Sequence, residues 1–416
     1  MKKILKKLLP FKVISFYHKV LVVLANIIYL FPSHQLIVIG VTGTKGKSTT
    51  SNMIWQILTQ AGHKTGIITT ANFRIGQKEW INNTKMTMPG RFRLQKLLRQ
   101  MVRAKCEYAV VETSSEGINQ NRHWGIKYQI AVFTNLTPEH IEAHGGFENY
   151  RAAKAELFKN LAGLKISILN HDDVNFNFFK NIPAHQYIYY GLETGADLEA
   201  HEIKEVTDGF EFIVKGHRFY LPLLGSFNIQ NALAALAVGK ALEINWLDMI
   251  KAIHNFSYMP GRMEKIISRK GFIVYVDYAH TPESLEAVYK SLKPRANRLI
   301  AVLGSCGGGR DKAKRPILGK LAATYAKVVI ITNEDPYDED PGKIIDEVYE
   351  GTKGFPSTEI FRVFDRREAI NQAINQAKVG DIVIITGKGS EQVLVSKNEK
   401  MPWDDREVVR QALAML

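Results

Sequence analysis

The sequence predicts an α/β protein in two parts. A central domain carries a mostly parallel sheet, a Rossmann-like α/β domain follows it, and a short helical segment precedes both. Three observations predict this. Short apolar runs of strand length alternate with helical stretches from residue 35 onward. A glycine-rich turn joins the first of these strands to a helix. The alternation breaks at Met259-Pro260-Gly261 and then restarts.

The N-terminal segment comes first. Lys2, Lys3, Lys6 and Lys7 precede an apolar stretch from Phe11 to Phe31. His18 and Lys19 interrupt the stretch, Pro32 leads quickly into a strand, and no small-residue cleavage site follows, so a signal peptide is not predicted. A membrane span wants about 20 uninterrupted apolar residues. The segment is expected to be helical. Peripheral contact with an anionic membrane through residues 1–31 is the sharper alternative.

Gln35–Val41 then reads as a strand and Lys47–Ala61 as a helix. Tyr108–Val111, Ile130–Phe133 and Ile166–Leu169 read as buried strands, with a helix at Phe147–Leu161. Gly191–Tyr220 is polar and alternating, which predicts a small antiparallel excursion, and Asn228–Ala241 is an alanine-rich helix. Beyond the break, Ile273–Val276, Leu299–Leu303, Lys327–Ile331 and Asp381–Ile385 read as strands of a second sheet. The expected domains are 1–34, 35–258 and 259–416.

Composition narrows the function classes. Of 416 residues, 45% are hydrophobic and 23% charged, which suits a globular core and argues against disorder. The net charge of +14 would suit nucleic acid, an anionic membrane or a polyanionic substrate. Aromatic RNA-binding motifs and basic recognition helices are absent, so no nucleic acid is expected. Two cysteines far apart, Cys106 and Cys306, form neither a disulfide framework nor a metal site and suit a reducing cytoplasm.

The turn Gly43-Thr44-Lys45-Gly46-Lys47-Ser48-Thr49 follows the first strand and opens a helix. Its glycines allow backbone N–H groups to point inward around phosphate oxygens, and the helix N-terminus adds partial positive charge. Lys47 would reach the β- and γ-phosphates, and Ser48 or Thr49 would hold Mg²⁺ through a hydroxyl. This context predicts ATP as a ligand.

The form Thr-Gly-Thr-x-Gly-Lys-Ser-Thr resembles the Mur ligase family, and further motifs extend that resemblance from about Gln35 to the C-terminus. Glu112-Thr-Ser-Ser115-Glu-Gly-Ile-Asn-Gln120-Asn-Arg122 is similar to a family stretch. There the resemblance implies a Mg²⁺-associated Glu112, with Ser115, Gln120 and Arg122 holding a muramoyl-peptide. Thr134-Asn-Leu-Thr-Pro-Glu139-His140 resembles a motif whose histidine, His140, binds a second Mg²⁺. Lys154 matches a lysine that the family carbamylates. On its own it would be a solvated helix lysine, and Glu112 a solvated strand-end charge.

Asn228-Ile-Gln-Asn231, Pro260-Gly-Arg262-Met-Glu and Asp277-Tyr-Ala-His280 resemble nucleotide-contacting motifs, implying Asn231, Arg262, Asp277 and His280 as ATP contacts. Arg262 lies on the second domain, so domain closure is expected to assemble the site. Arg310, Asp335, Gly387 and Glu391 fall in motifs that imply contact with the incoming amino acid. Enzymes of the family that add diaminopimelate carry an arginine where this chain has Tyr337, which leaves lysine or another amino acid equally open.

The family normally opens with a UDP-binding domain of roughly a hundred residues. Only 34 residues precede the first strand here, so the substrate is expected to be held differently or to lack UDP.

The implied reaction is ATP-dependent amide-bond formation in peptidoglycan precursor synthesis. A carboxylate of a UDP-N-acetylmuramoyl-peptide-like acceptor becomes an acyl phosphate, and an amino acid amine then displaces phosphate. ATP, two Mg²⁺ ions and carbamylated Lys154 are the implied cofactors. The partners are small molecules, and a cytoplasmic monomer is expected. Two alternatives stand beside this: a related ligase of folylpolyglutamate-like or poly-amino-acid type, and a P-loop NTPase that regulates without ligating.

Overall fold

The computed structural model describes residues 11–416 except 85, 139–143, 257–258 and 398. The chain divides into two compact units, Met1–Pro222 with Ser226–Ser257, and Leu223–Gly225 with Tyr258–Leu416.

In the first unit, helix α1 spans Phe11–Ile28. Among the described residues, eleven strands then form one sheet. In chain order they are β1 Ile37–Thr42, β2 Thr65–Ile68, β3 Asn72–Ile75, β4 Lys78–Ile81, β5 Tyr108–Glu112, β6 Tyr128–Phe133, β7 Ile166–Asn170, β8 Gln186–Gly191, β9 Leu198–Val206, β10 Gly209–Val214 and β11 His217–Leu221. Their spatial order is β11-β10-β9-β8-β7-β6-β1-β5-β2-β3-β4.

β1 runs parallel to both β5 and β6, with Val41 opposite Glu112 and Thr42 opposite Phe133. The C-terminal ends of three central strands therefore share one edge, where open α/β sheets gather their ligands. β1 is apolar and buried along nearly its whole length, as a strand covered on both faces must be.

The polar stretch near residues 191–220 is antiparallel within itself, but it is not a separate excursion. β9 joins β8 in parallel through Tyr190 and Gly191, so the stretch extends the main sheet. The helices around this sheet include α2 Lys47–Gln60, α3 Arg91–Arg103, α4 Ser115–Asn119, α5 Phe147–Lys159 and α6 Phe227–Ala241.

The second unit holds a six-stranded sheet among its described residues. Its strands are β12 Glu264–Ile267, β13 Ile273–Val276, β14 Leu299–Leu303, β15 Val328–Thr332, β16 Glu359–Val363 and β17 Ile382–Ile385, in the order β12-β13-β17-β14-β15-β16. Only β12 is antiparallel to its neighbour. The turns after β13, β14, β15 and β17 thus open on one edge. Beneath them Arg366 is fully buried and grips Asp405 with two hydrogen bonds of 2.8 and 2.7 Å.

Candidate active site

In the first unit, the turn between β1 and α2 is shaped by two glycines. Gly46 has φ 80°, and a Cβ there would come within 2.2 Å of Asn231 Oδ1. Gly43 has φ 149°, and a Cβ there would meet Thr134 Oγ1 at 1.9 Å. Only glycine gives this backbone and this approach together. Asn135 fixes the loop from β6, accepting from the Lys45 amide at 2.9 Å and donating to the Lys45 carbonyl at 3.2 Å.

Five predicted residues converge on this loop. Lys47 opens α2 and donates to the Thr44 carbonyl at 2.8 Å. Ser48 donates to Glu112 Oε2 at 2.7 Å, bringing a hydroxyl and a carboxylate together at the end of β5. Glu112 is buried and also accepts from the Thr70 amide at 2.8 Å and the Thr70 hydroxyl at 2.9 Å. Lys154, 1% exposed, reaches from α5 to the Gly43 carbonyl at 2.6 Å and lies 4.5 Å from the Tyr150 ring centre. Asn231, on α6, accepts from Thr50 at 3.3 Å beside Gly46.

His140 lies outside the described residues. Among the described residues, no three of His, Cys, Asp and Glu are grouped to hold a metal by themselves. Magnesium does not need such a cage, since it keeps several waters and takes one or two protein oxygens plus phosphate. Ser48 Oγ and Glu112 are oxygen donors of that kind, and they sit at the mouth of an anion-binding helix N-terminus. These residues fit both ATP phosphates and Mg²⁺.

Near α4, Gln120 and Arg122 meet at 2.7 Å, Arg122 also donates to the Met88 carbonyl, and Ser115 is buried at the helix start. Arg91 also belongs here, and the sequence reading missed it. Its guanidinium donates to the Gln120 carbonyl. Burial, then the charge of Arg122, lower the Arg91 pKa, and burial also lowers that of Arg122. Two crowded, partly desolvated arginines make a ready anion site.

In the second unit, buried Asp277 accepts from the Met263 and Ala279 amides, each at 2.7 Å. Burial raises its pKa, with Arg262 pulling the other way. Arg262 stacks 4.5 Å from the Tyr278 ring centre. Burial, and then nearby Lys314, push the His280 pKa down to about 3. His280 is therefore neutral, and its Nδ1 lies 2.9 Å from the Tyr278 carbonyl, which calls for the proton on that nitrogen.

Asp335, Glu391 and Gly387 lie on the same edge. Lys388 ties two of them together, donating to Asp335 at 2.8 Å and Glu391 at 2.6 Å. Burial works against the Lys388 ammonium, yet Glu391 and Asp335 hold its pKa above the ordinary value. Gly387 has φ 106°, and a Cβ there would strike Glu334 Oε2 at 2.2 Å. Burial works against the Arg310 guanidinium, yet the neighbouring Cys306 and Tyr337 side chains hold its pKa above the ordinary value.

Two family models match in order. A Mur ligase middle domain covers residues 41–239, and a Mur ligase glutamate ligase domain covers residues 261–389. A Geobacillus kaustophilus UDP-N-acetylmuramoyl-L-alanyl-D-glutamate–2,6-diaminopimelate ligase is 37% identical across 97% of this chain and 84% of its own length. The chain belongs to the Mur ligase family. It is therefore an ATP-dependent ligase that forms amide bonds. A Roseiflexus UDP-N-acetylmuramyl-tripeptide synthetase is 36% identical over 94% of this chain and 81% of its own length. A solved diaminopimelate-adding ligase is 32% identical, with TM-score 0.64 over 91% of this chain and 78% of that one. Mycobacterium tuberculosis folylpolyglutamate synthase shares the fold at TM-score 0.71 and 18% identity, covering 88% of this chain and 91% of that one.

Cys306 and Glu334 also meet in the second unit. Cys306 donates to Glu334 Oε1 at 2.8 Å. Burial raises the pKa of both groups, so the thiol stays protonated. No local pattern announces the pair, because 28 residues separate its members.

Proposed function

We propose that this Mur ligase adds an amino acid to the carboxylate of a UDP-N-acetylmuramoyl-peptide-like acceptor through an acyl phosphate, in peptidoglycan precursor synthesis. The observation that carries the reading is the meeting of Lys47, Ser48, Glu112 and Lys154 at one phosphate-binding turn. Lys47 and the loop amides hold the phosphate chain. Ser48 and Glu112 would hold Mg²⁺, which would supply positive charge to offset that building on the transferred phosphoryl group. Lys154 has a buried place where a carbamate would add an anion beside that cation. Ser115, Gln120, Arg122 and the newly found Arg91 orient the anionic acceptor.

In the second unit, Asp335, Glu391 and Arg310 receive the amino acid. With Tyr337 instead of an arginine, the reading favours lysine or another amino acid over diaminopimelate. The enzyme acts as a monomer on the cytoplasmic side.

The test is ADP release with muramoyl-dipeptide nucleotide and a panel of amino acids. Release that needs both acceptor and amino acid, and is faster with lysine than with diaminopimelate, is the expected result. ATP hydrolysis unaffected by any acceptor would overturn the ligase reading. Preference for diaminopimelate would overturn only the specificity.

A further inference from the structure

Helix α1 is apolar on two faces. One face is buried, through Val22, Ala25 and Asn26. The helix is held to the unit by Asn121, which donates to Ser15 at 3.0 Å, and by Gly125, whose missing Cβ leaves room for Val22 and Asn26. The other face is exposed. Val13, Phe16, Val20, Leu24 and Ile27 follow one another at intervals of three and four residues, so they form one stripe. Phe16 is 70% exposed and Ile27 52%. A patch of this kind marks an interaction surface.

Charge says what it meets. Residues 1–106 contain 18 Lys and Arg and a single acid, Glu79, whereas residues 107–416 contain 37 Lys and Arg against 40 Asp and Glu. The whole positive excess of the chain thus lies in the part that carries α1. Helix α3, against which α1 packs, has Arg91, Arg93, Lys96, Arg99 and Arg103 and no acid. Lys19 on α1 sits 5.6 Å from the ring centre of Trp124, itself 38% exposed. An apolar stripe set in a cationic surface, with an indole beside it, has the chemistry of a helix lying in a bilayer interface. No helix among the described residues is long and apolar enough to cross a membrane. A nucleic acid would satisfy the charge but leave the aliphatic stripe in water. A second copy would bring two cationic segments face to face.

We propose that α1 docks this enzyme on an anionic lipid bilayer, with its Val13–Ile27 stripe in the acyl boundary and the surrounding Lys and Arg on the headgroups. The inference stands apart from the reaction assigned above, since the stripe on α1 and the cations Lys19, Arg93, Lys96, Arg99 and Arg103 take no part in it.

The test is flotation of the full chain with phosphatidylcholine vesicles, with and without phosphatidylglycerol. Binding should need the anionic lipid and fall at least about tenfold when salt shortens the screening length. The variant Phe16→Ser/Val20→Ser/Leu24→Ser/Ile27→Ser should lose flotation about tenfold or more while keeping its melting temperature and its ADP release in solution. Lys96→Gln/Arg103→Gln should weaken flotation without abolishing it. Absence of flotation with anionic vesicles, or flotation indifferent to the serine substitutions, would overturn the proposal. So would a dimer in sedimentation velocity that those substitutions dissolve, because the stripe would then be a subunit contact.

Discussion

Glu112→Gln separates a metal-holding carboxylate from a structural acceptor. In the wild type, Oε2 receives Ser48 and the Thr70 amide, and Oε1 faces the Thr70 hydroxyl. A glutamine can keep its carbonyl oxygen at the Oε2 position and accept both donors. Its amide nitrogen then faces Thr70 Oγ1, which can accept while passing its own proton to Thr87, 2.8 Å away. Every buried partner stays satisfied, so the fold should lose about 1 kcal/mol, the difference between charged and neutral hydrogen bonds. For a domain of this size that is a fall of roughly 2–4 °C in melting temperature. The cation loses more. Removing the negative charge beside Ser48 costs about 1.5–3 kcal/mol of binding, which raises the half-saturating Mg²⁺ concentration about 10- to 100-fold. Titrating Mg²⁺ in an ADP-release assay, beside a thermal melt, reads both numbers. An unchanged Mg²⁺ curve with a melting temperature several times further down would mean that Glu112 holds the fold and not the metal.

Three other perturbations follow from the same geometry. Lys154→Ala should abolish ligation, and short carboxylates supplied in solution should restore part of it, whereas a lysine that only braces the Gly43 carbonyl would not be rescued. Burial, first among causes, lowers the pKa of His123 to about 4 and that of His280 to about 3. In the unfolded chain both titrate near 6.5, so below that pH the unfolded state takes up protons that the fold refuses. Stability is full above pH 6.5 and falls as pH drops toward 4, by up to about 1.4 kcal/mol per pH unit for each histidine. Urea midpoints at neutral and mildly acid pH should differ less in His123→Gln than in the wild type. Arg366→Met leaves the Asp405 carboxylate buried without its cation and should cost about 3–5 kcal/mol by urea denaturation, against little change for a pair that merely decorates the surface.

Much of the site was legible because parallel sheets place chemistry next to strands. Glu112 ends β5, the phosphate turn ends β1 and Asp277 follows β13, so each motif sat beside an apolar run that could be found from composition. The strands β2, β3 and β4 were not found, since at four residues each they are too short to show the apolar run that marks a buried strand. Arg91 was hidden for a different reason. It is one of five cations on an amphipathic helix, and nothing in the spacing separates the one that reaches Gln120 from those that face water. Pairs such as Cys306 with Glu334 exist only after the strand order is known.

Helix α1 shows where hydropathy stops being informative. A periodic apolar pattern tells which side of a helix is buried only when the other side is polar. Here both sides are apolar, and the buried one holds Asn26 while the exposed one holds Phe16 and Ile27. The choice between them is made by what α1 packs against. Gly125 and Asn121 receive Val22, Asn26 and Ser15, and a polar group buried there keeps a partner, as Asn26 does by donating to the Val22 carbonyl at 3.0 Å. The more hydrophobic stripe is thereby turned outward. Such an arrangement costs solubility, and it becomes favourable once the surface it faces is itself apolar and anionic. Membrane docking explains the exposed stripe together with the cations of residues 1–106 other than Lys45, Lys47 and Arg91, and neither the phosphate turn nor the amino-acid edge requires them.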